Sequence, residues 1–177
     1  MISCICYSAY GVSLRTLRAE DLEYLRAQRN NPLMRRWMTT DHEITADEML
    51  SWYRNLGEDA YYLLVYDNDV CVGHVNAKPI GPGAYEPGFM FWGEEFQRRG
   101  GVVRAVLALY DFLFYQVCAN RLIGLTAADN RRAIRLAKGM GFRNVGEKAI
   151  NGRIYIQLEQ TAVEYARVHE RYSGVLT

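Results

Sequence analysis

The residues with the clearest chemical potential form one run, Gln97-Arg98-Arg99-Gly100-Gly101-Val102-Val103, which passes directly into a long apolar helical pattern. A helix start carries unpaired amide donors and about half a positive charge. The run therefore sets free N–H groups beside two guanidinium groups, and Gly100 and Gly101 let a ligand reach the main chain with no Cβ in the way. This is an anion site suited to a pyrophosphate. No Gly-Lys-Ser/Thr follows, so it is not a Walker A loop, and the glycine spacing is not G-x-G-x-x-G.

Two further clusters bear on chemistry. His74, in Cys71-Val72-Gly73-His74-Val75-Asn76, has an ordinary pKa suited to proton transfer near neutrality. The segment Gln28-Arg29-Asn30-Asn31-Pro32-Leu33-Met34-Arg35-Arg36-Trp37-Met38 mixes fixed donors with a large aromatic and a thioether. That composition suits a small-molecule pocket with an apolar wall, in which Arg29, Asn30, Trp37 and Met38 would bind the ligand. Trp37 and Met38 fit equally well as core residues beneath the first helices.

The elements that must position these residues are legible from period and punctuation. Val12–Arg18 alternates as a first strand, and the apolar stretch before it reads as an extra edge strand or a loosely held extension over residues 1–11. Asp21 is placed to cap a helix carrying Leu22 and Leu25 and ending near Asn30-Asn31-Pro32. Thr45-Ala46-Asp47-Glu48 is a capping box, with Ile44 and Met49 as its hydrophobic staple. Tyr61–Tyr66 and Val70–Ala77 flank Asp67-Asn68-Asp69 as a hairpin, Gly81-Pro82-Gly83 is a loop, and Tyr85–Trp92 is an aromatic strand. From Val102 to Val117 one helical face is apolar, Arg121–Ala127 is a strand, and Asp129 or Asn130 caps a helix with Ala133, Leu136, Ala137 and Met140 in step. Asn151-Gly152 joins a last hairpin, and Thr161 with Glu164 caps a C-terminal helical tail over residues 161–177. The expected class is α/β (α+β), with a mostly antiparallel central sheet flanked by helices.

With 177 residues, the chain is long enough for a single domain with a full core. Its 21 basic and 20 acidic side chains nearly cancel, which argues against a general nucleic-acid or membrane-surface binder. Cys4, Cys6, Cys71 and Cys118 lack C-x-x-C spacing and the three histidines are scattered, so no metal site is expected. Cys71 and Cys118 read as small core residues, and free thiols suit a cytoplasmic protein. The longest apolar run is broken by Arg104 and Asp111, so no membrane span is expected.

The run Gln97-Arg98-Arg99-Gly100-Gly101-Val102 resembles the Gln/Arg-x-x-Gly-x-Gly/Ala loop of the GNAT superfamily of N-acetyltransferases, with Val102 where the pattern has a small residue. Asn130-x-x-Ala133-x-x-Leu136 with Gly141-Phe142 resembles a second GNAT stretch, about thirty residues on, and the element order over residues 12 to 160 resembles the family topology. The resemblance implies acetyl-CoA as cosubstrate. The 97–103 loop would hold its pyrophosphate, Asn130, Arg132 and Ala133 would lie along it, and the strand end at Phe91 and Trp92 would pair with its pantetheine arm and supply an oxyanion donor. Arg98, Arg99, Arg131, Arg132 and Arg135 would form basic patches near its phosphates. It also implies a catalytic base at Glu86, with His74 as second choice. The Glu86–Gln97 spacing is one residue longer than the family pattern, which a β-bulge would absorb. Ala137 stands where many members carry the tyrosine that protonates the leaving thiolate.

The 28–48 stretch is similar to that of GNAT enzymes acting on nucleotide-linked amino sugars, such as the pseudaminic acid pathway enzyme, and less closely to ribosomal-protein N-terminal acetyltransferases. The implied acceptor is a small amine of the first kind, or else a peptide N-terminus, with the protein a monomer or homodimer. A GNAT-fold module that binds CoA without turnover is the remaining alternative.

Overall fold

A computed structural model of the chain describes residues 5–38, 40 and 42–173. Strands β1 (Cys6–Ala9), β2 (Val12–Thr16), β3 (Tyr61–Asp67), β4 (Val70–Gly81), β5 (Ala84–Phe91), β6 (Arg121–Ala127), β7 (Arg143–Ile150) and β8 (Arg153–Thr161) form one sheet in the order β1-β2-β3-β4-β5-β6-β8-β7. Every pairing is antiparallel except β5 with β6. The helices are α1 (Leu22–Asn30), α2 (Pro32–Arg35), α3 (Ala46–Arg54), α4 (Glu94–Arg98), α5 (Gly101–Asp111), α6 (Arg131–Gly139) and α7 (Ala162–Ser173). The apolar N-terminal stretch supplies β1, an edge strand, although Cys4 lies outside the described residues.

Strand alternation divides the core in two. Leu63, Val65, Val75 and Phe91 face α5, whereas Tyr62, Leu64, Met90 and Trp92 face α1 and α3. The helix after the glycine run is buried almost all round, from Ala105 to Asp111, and not on one face alone. The sheet covers one flank and α7 brings Tyr165 against another, its hydroxyl donating to the Leu107 carbonyl at 3.2 Å. Beyond Asp111 the helix widens into a π turn, Phe112–Gln116, in which Phe114 stacks on Tyr165. Cys118 is exposed, with φ 57°, because the chain there turns out of the helix toward β6; it is not the core residue expected.

Caps decide the helix starts. Thr45 and Glu48 form the expected reciprocal box, with Thr45 N–H donating to the Glu48 carboxylate at 2.7 Å and Glu48 N–H to Thr45 Oγ1 at 3.2 Å. Thr161 and Glu164 repeat it at 2.8 and 3.3 Å. Asp21 does not cap α1 with its side chain. It accepts instead from Arg18 N–H at 2.8 Å and from Arg15 at 2.9 Å, closing a 3-10 turn that precedes the helix. Between Asp129 and Asn130 the cap is Asn130, whose Oδ1 accepts from Ala133 N–H at 3.1 Å, while Asp129 pairs with Arg153 at 2.7 Å. Gly81-Pro82-Gly83 is a tight turn between β4 and β5, not an open loop.

One buried carboxylate joins the two ends of the chain. Asp111, 5% exposed, accepts from Tyr10 at 2.6 Å and from Tyr165 at 2.5 Å, so the β1–β2 turn and α7 both fasten to the end of α5. Asp111→Ala leaves the Tyr10 hydroxyl without its acceptor and Tyr165 with the Leu107 carbonyl alone, and urea unfolding should show a loss of about 2–3 kcal/mol.

Candidate active site

Gly100 is the cap of α5 and takes φ 74°, a left-handed conformation that costs glycine little. Gly101 follows for a different reason. A Cβ there would lie 2.3 Å from the Phe96 ring, so the close seating of α4 on α5 requires its absence. Gly100 N–H donates to Gln97 at 3.4 Å and Val103 N–H returns to Gly100 at 3.1 Å, so the Gly100 and Val103 amides serve the bend itself. The amides of Gly101 and Val102 have no hydrogen-bond partner among the described residues, and these are the donors left for an anion. Arg98 and Arg99 pair with Glu95 at 3.0 and 2.7 Å on the exposed side of α4 and do not line the neighbouring cavity.

The bend looks into a gap in the sheet. β5 and β6 pair only at Ala84 with Arg121 and Tyr85 with Leu122, then diverge. Pro87 explains where the ladder stops. Trp92 N–H donates to Val72 at 3.1 Å, which fixes the alternation of β5: Trp92, Met90 and Gly88 point their polar groups at β4, while Phe91, Phe89 and residue 87 point theirs at the gap. Residue 87 would owe β6 an N–H, and proline has none.

The same alternation corrects the donor assignment. The Trp92 amide is committed to Val72, and its indole N–H donates to the Cys71 carbonyl at 3.0 Å, so the amides available at the gap are those of Phe91 and Phe89. Gln97 is a strut. Its side chain donates to the Phe91 carbonyl at 2.8 Å and ties α4 to the strand end. The β5 register against β4 runs unbroken from Tyr85 to Phe91, and just beyond it Trp92 and Gly93 N–H both donate to the Val72 carbonyl, at 3.1 and 3.3 Å, two residues against one as in a β-bulge.

A cavity of about 680 Å³ joins this gap to the opposite face of the sheet. On one side it is lined by Gln97, Val102 and, from α6, Asn130, Arg132 and Ala133. On the other it reaches Arg29, Trp37 and Met38, with His74 at the sheet. Asn30 does not line it. Its amide is spent on Ile44, accepting and donating at 2.8 Å each way, which pins the end of α1 to the loop before α3. Trp37 is 39% exposed, set between the guanidinium groups of Arg36 and Arg153, and is not a core residue.

His74 is buried and stacked on Tyr62, with ring centroids 5.6 Å apart, and its Nε2 has no hydrogen-bond partner. Burial, reinforced by the positive charges of Arg29 and Lys78, brings its pKa down to about 3. The ring is neutral at physiological pH, and its ordinary near-neutral value, the ground for expecting a base, does not hold here. Glu86 lies on the same sheet face, opposite Lys78, but outside the cavity lining. Tyr62, Trp52, Asn76 and Lys78 also line the cavity and were not singled out from the sequence. Period two from His74 through Asn76 to Lys78 is the signal that could have found two of them. Of the tyrosines, Tyr62 alone lines it among the described residues, and Ala137 does not. No group of three or more potential metal ligands occurs among the described residues, and no helix is long and apolar enough to cross a membrane.

Gly101→Ala forces the Phe96 ring to move, and denaturant unfolding should register about 1–3 kcal/mol of lost stability. His74 generates a pH dependence of known sign. The folded state disfavours the charged ring, so its contribution is intact above about pH 6.5 and is lost progressively as pH falls toward 3, at about 1.4 kcal/mol per pH unit. Melting temperature should fall from pH 7 to 5, and fall less in His74→Phe.

Comparison with known proteins places this geometry. Residues 12–143 match the family model described as an acetyltransferase (GNAT) domain. No curated protein sequence matches the chain. Among solved structures, spermidine N-acetyltransferase from Vibrio cholerae, in complex with CoA and spermine, is 19% identical, covering 89% of this chain and 99% of that one, with a TM-score of 0.79. A GCN5-related N-acetyltransferase from Brucella melitensis is 20% identical, covering 99% of this chain and 86% of that one, also at 0.79. AAC(6')-Ib, in complex with paromomycin and acetyl-CoA, is 19% identical, covering 89% of this chain and 97% of that one, at 0.78. The single parallel junction in an otherwise antiparallel sheet and the glycine bend facing it thus have a shared origin: the chain belongs to the GNAT acetyltransferases, enzymes that draw their acetyl group from acetyl-CoA.

Proposed function

We propose that the protein acetylates the primary amine of a small molecule, a nucleotide-linked amino sugar in the first instance, by direct attack with both substrates bound. The observation that carries this is the opening between β5 and β6, with two unpartnered amides of the α5 start on one side and a cavity on the other. The residues fit acetyl-CoA. Gly101 and Val102 N–H would hold its pyrophosphate, and Asn130, Arg132 and Ala133 would flank it on α6. The outward amides of Phe89 and Phe91 would meet its pantetheine arm as an added strand would. Bound there, acetyl-CoA supplies the activated acetyl group.

The chain's own groups then divide the work. An alkyl amine with a pKa near 10 must lose a proton before it attacks. Glu86, on the acceptor face, takes that proton through water from just outside the cavity. His74, neutral and buried in the sheet wall, adds no charge beside the amine. The Phe91 N–H donates to negative charge developing in the gap. No tyrosine stands at 137, so the leaving sulfur takes its proton from solvent. The spermine and paromomycin complexes of the two related folds support an amine as acceptor, since both ligands are amines.

Acetyl-CoA at a hundredfold its dissociation constant should stabilise the protein by about 2.7 kcal/mol, read as a thermal shift. No shift would remove the transferase reading. Thiol release should appear with amino sugars or, as the second acceptor class, with peptides; binding without thiol release for any amine would mark a non-catalytic module. Glu86→Gln should lower kcat by about 10²–10⁴ and flatten its rise with pH. An unchanged rate across pH would remove Glu86 as base.

A further inference from the structure

The acceptor half of the cavity is positively charged, and its charges are unspent. Lysine and arginine line it at Arg29, Arg36 and Lys78, and none of the three has a carboxylate within ion-pair distance among the described residues. Glu94, the first residue of α4, is the one acidic residue of the lining among the described residues.

Arg36 and Lys78 are exposed, and solvated cations are ordinary. Arg29 is different. It is partly buried at the end of α1, lies over the Trp52 ring with its guanidinium carbon 5.4 Å from the centroid, and is desolvated enough for its pKa to fall. No hydrogen-bond acceptor is paired with its side chain among the described residues, and its nitrogens are not sealed in the core, so its N–H donors are left for an occupant of the cavity it lines. Beside it, Trp52 meets the edge of Tyr62 at 4.8 Å, and Tyr62 stacks on buried His74 with its unpartnered Nε2. The wall therefore offers one partly desolvated cation with flat aromatic surface beside it.

Resting on the acceptor half assigned above, we infer that the acceptor is an amine carrying a negatively charged group, phosphate or carboxylate, held by Arg29 with Lys78 and Arg36 around it, and that polycationic amines are excluded. Guanidinium binds either anion through paired N–H donors, and the surrounding positive field rejects a second ammonium. Spermine and paromomycin, the ligands of the two related structures, are polycations and fall in the excluded class.

The test is calorimetric titration of the full chain, free and saturated with CoA, using glucosamine 6-phosphate, glucosaminic acid, glucosamine and spermidine as probes. The CoA-saturated protein should bind the phosphate or the carboxylate at least about tenfold more tightly than glucosamine, with no measurable spermidine binding. Arg29→Met should abolish that preference, Arg29→Lys should restore part of it, and neither should change the affinity for CoA. Which anionic probe wins separates phosphate from carboxylate. Equal binding of glucosamine and both anionic probes, tighter binding of spermidine, or a preference that survives Arg29→Met would overturn the inference. Should the CoA titration itself be silent while an Arg29-dependent anion still binds, the transferase reading falls and this one stands.

Discussion

Everything in the site depends on β5 losing its second neighbour. Two residue pairs hold it to β6, and then residue 87, which should supply the next donor, is a proline. Beyond that point the outward amides of Phe89 and Phe91 face open space in the middle of an eight-stranded sheet, where backbone groups are otherwise consumed by their neighbours. The missing ladder leaves main-chain donors free where an extended chain could pair with them.

Opening a sheet at its centre costs stability, and the surrounding structure offsets it locally. α4 and the start of α5 stand over the gap, seated by Phe96 against Phe91 and against the bare Cα of Gly101, while Gln97 holds the Phe91 carbonyl. α5 itself is nearly immersed, its far end fixed through Asp111 to both chain ends, and Arg104 bonds the carbonyls of Tyr10 and Gly11 at 3.1 and 3.3 Å. The glycine bend is therefore rigid at its base, and the two free amides it presents keep a set direction.

Charge separates the two halves of the cavity. Near the bend the free groups are main-chain amides, with Arg132 of α6 in the lining. On the α1 and α3 side an aromatic wall carries cations with no carboxylate in ion-pair distance among the described residues. Burial first, and then the positive charges of Arg29 and Lys78, hold His74 neutral at this wall. Glu86 is set back from the cavity on the same sheet face, opposite Lys78.

Local rules were enough for much of this from sequence: the two capping boxes, the turns at Asn68-Asp69 and Asn151-Gly152, the glycine bend before a long apolar helix, and Asn130 as one of two candidate caps all depend on residues within a few positions of one another. Tertiary contacts decided the rest. Asp129 found Arg153 on β8 in place of α6, and Trp92 gave its amide to Val72 across the sheet. His74 shows the division most plainly. Its residue type advertises a titration near neutrality, but burial against Tyr62 and the field of Arg29 and Lys78, groups distant in the chain or on the far end of a strand, set the charge it carries. Residue order specifies which groups are present and how the nearest backbone pairs; desolvation and through-space charge, which fix what those groups do, exist only once the sheet has brought remote segments together.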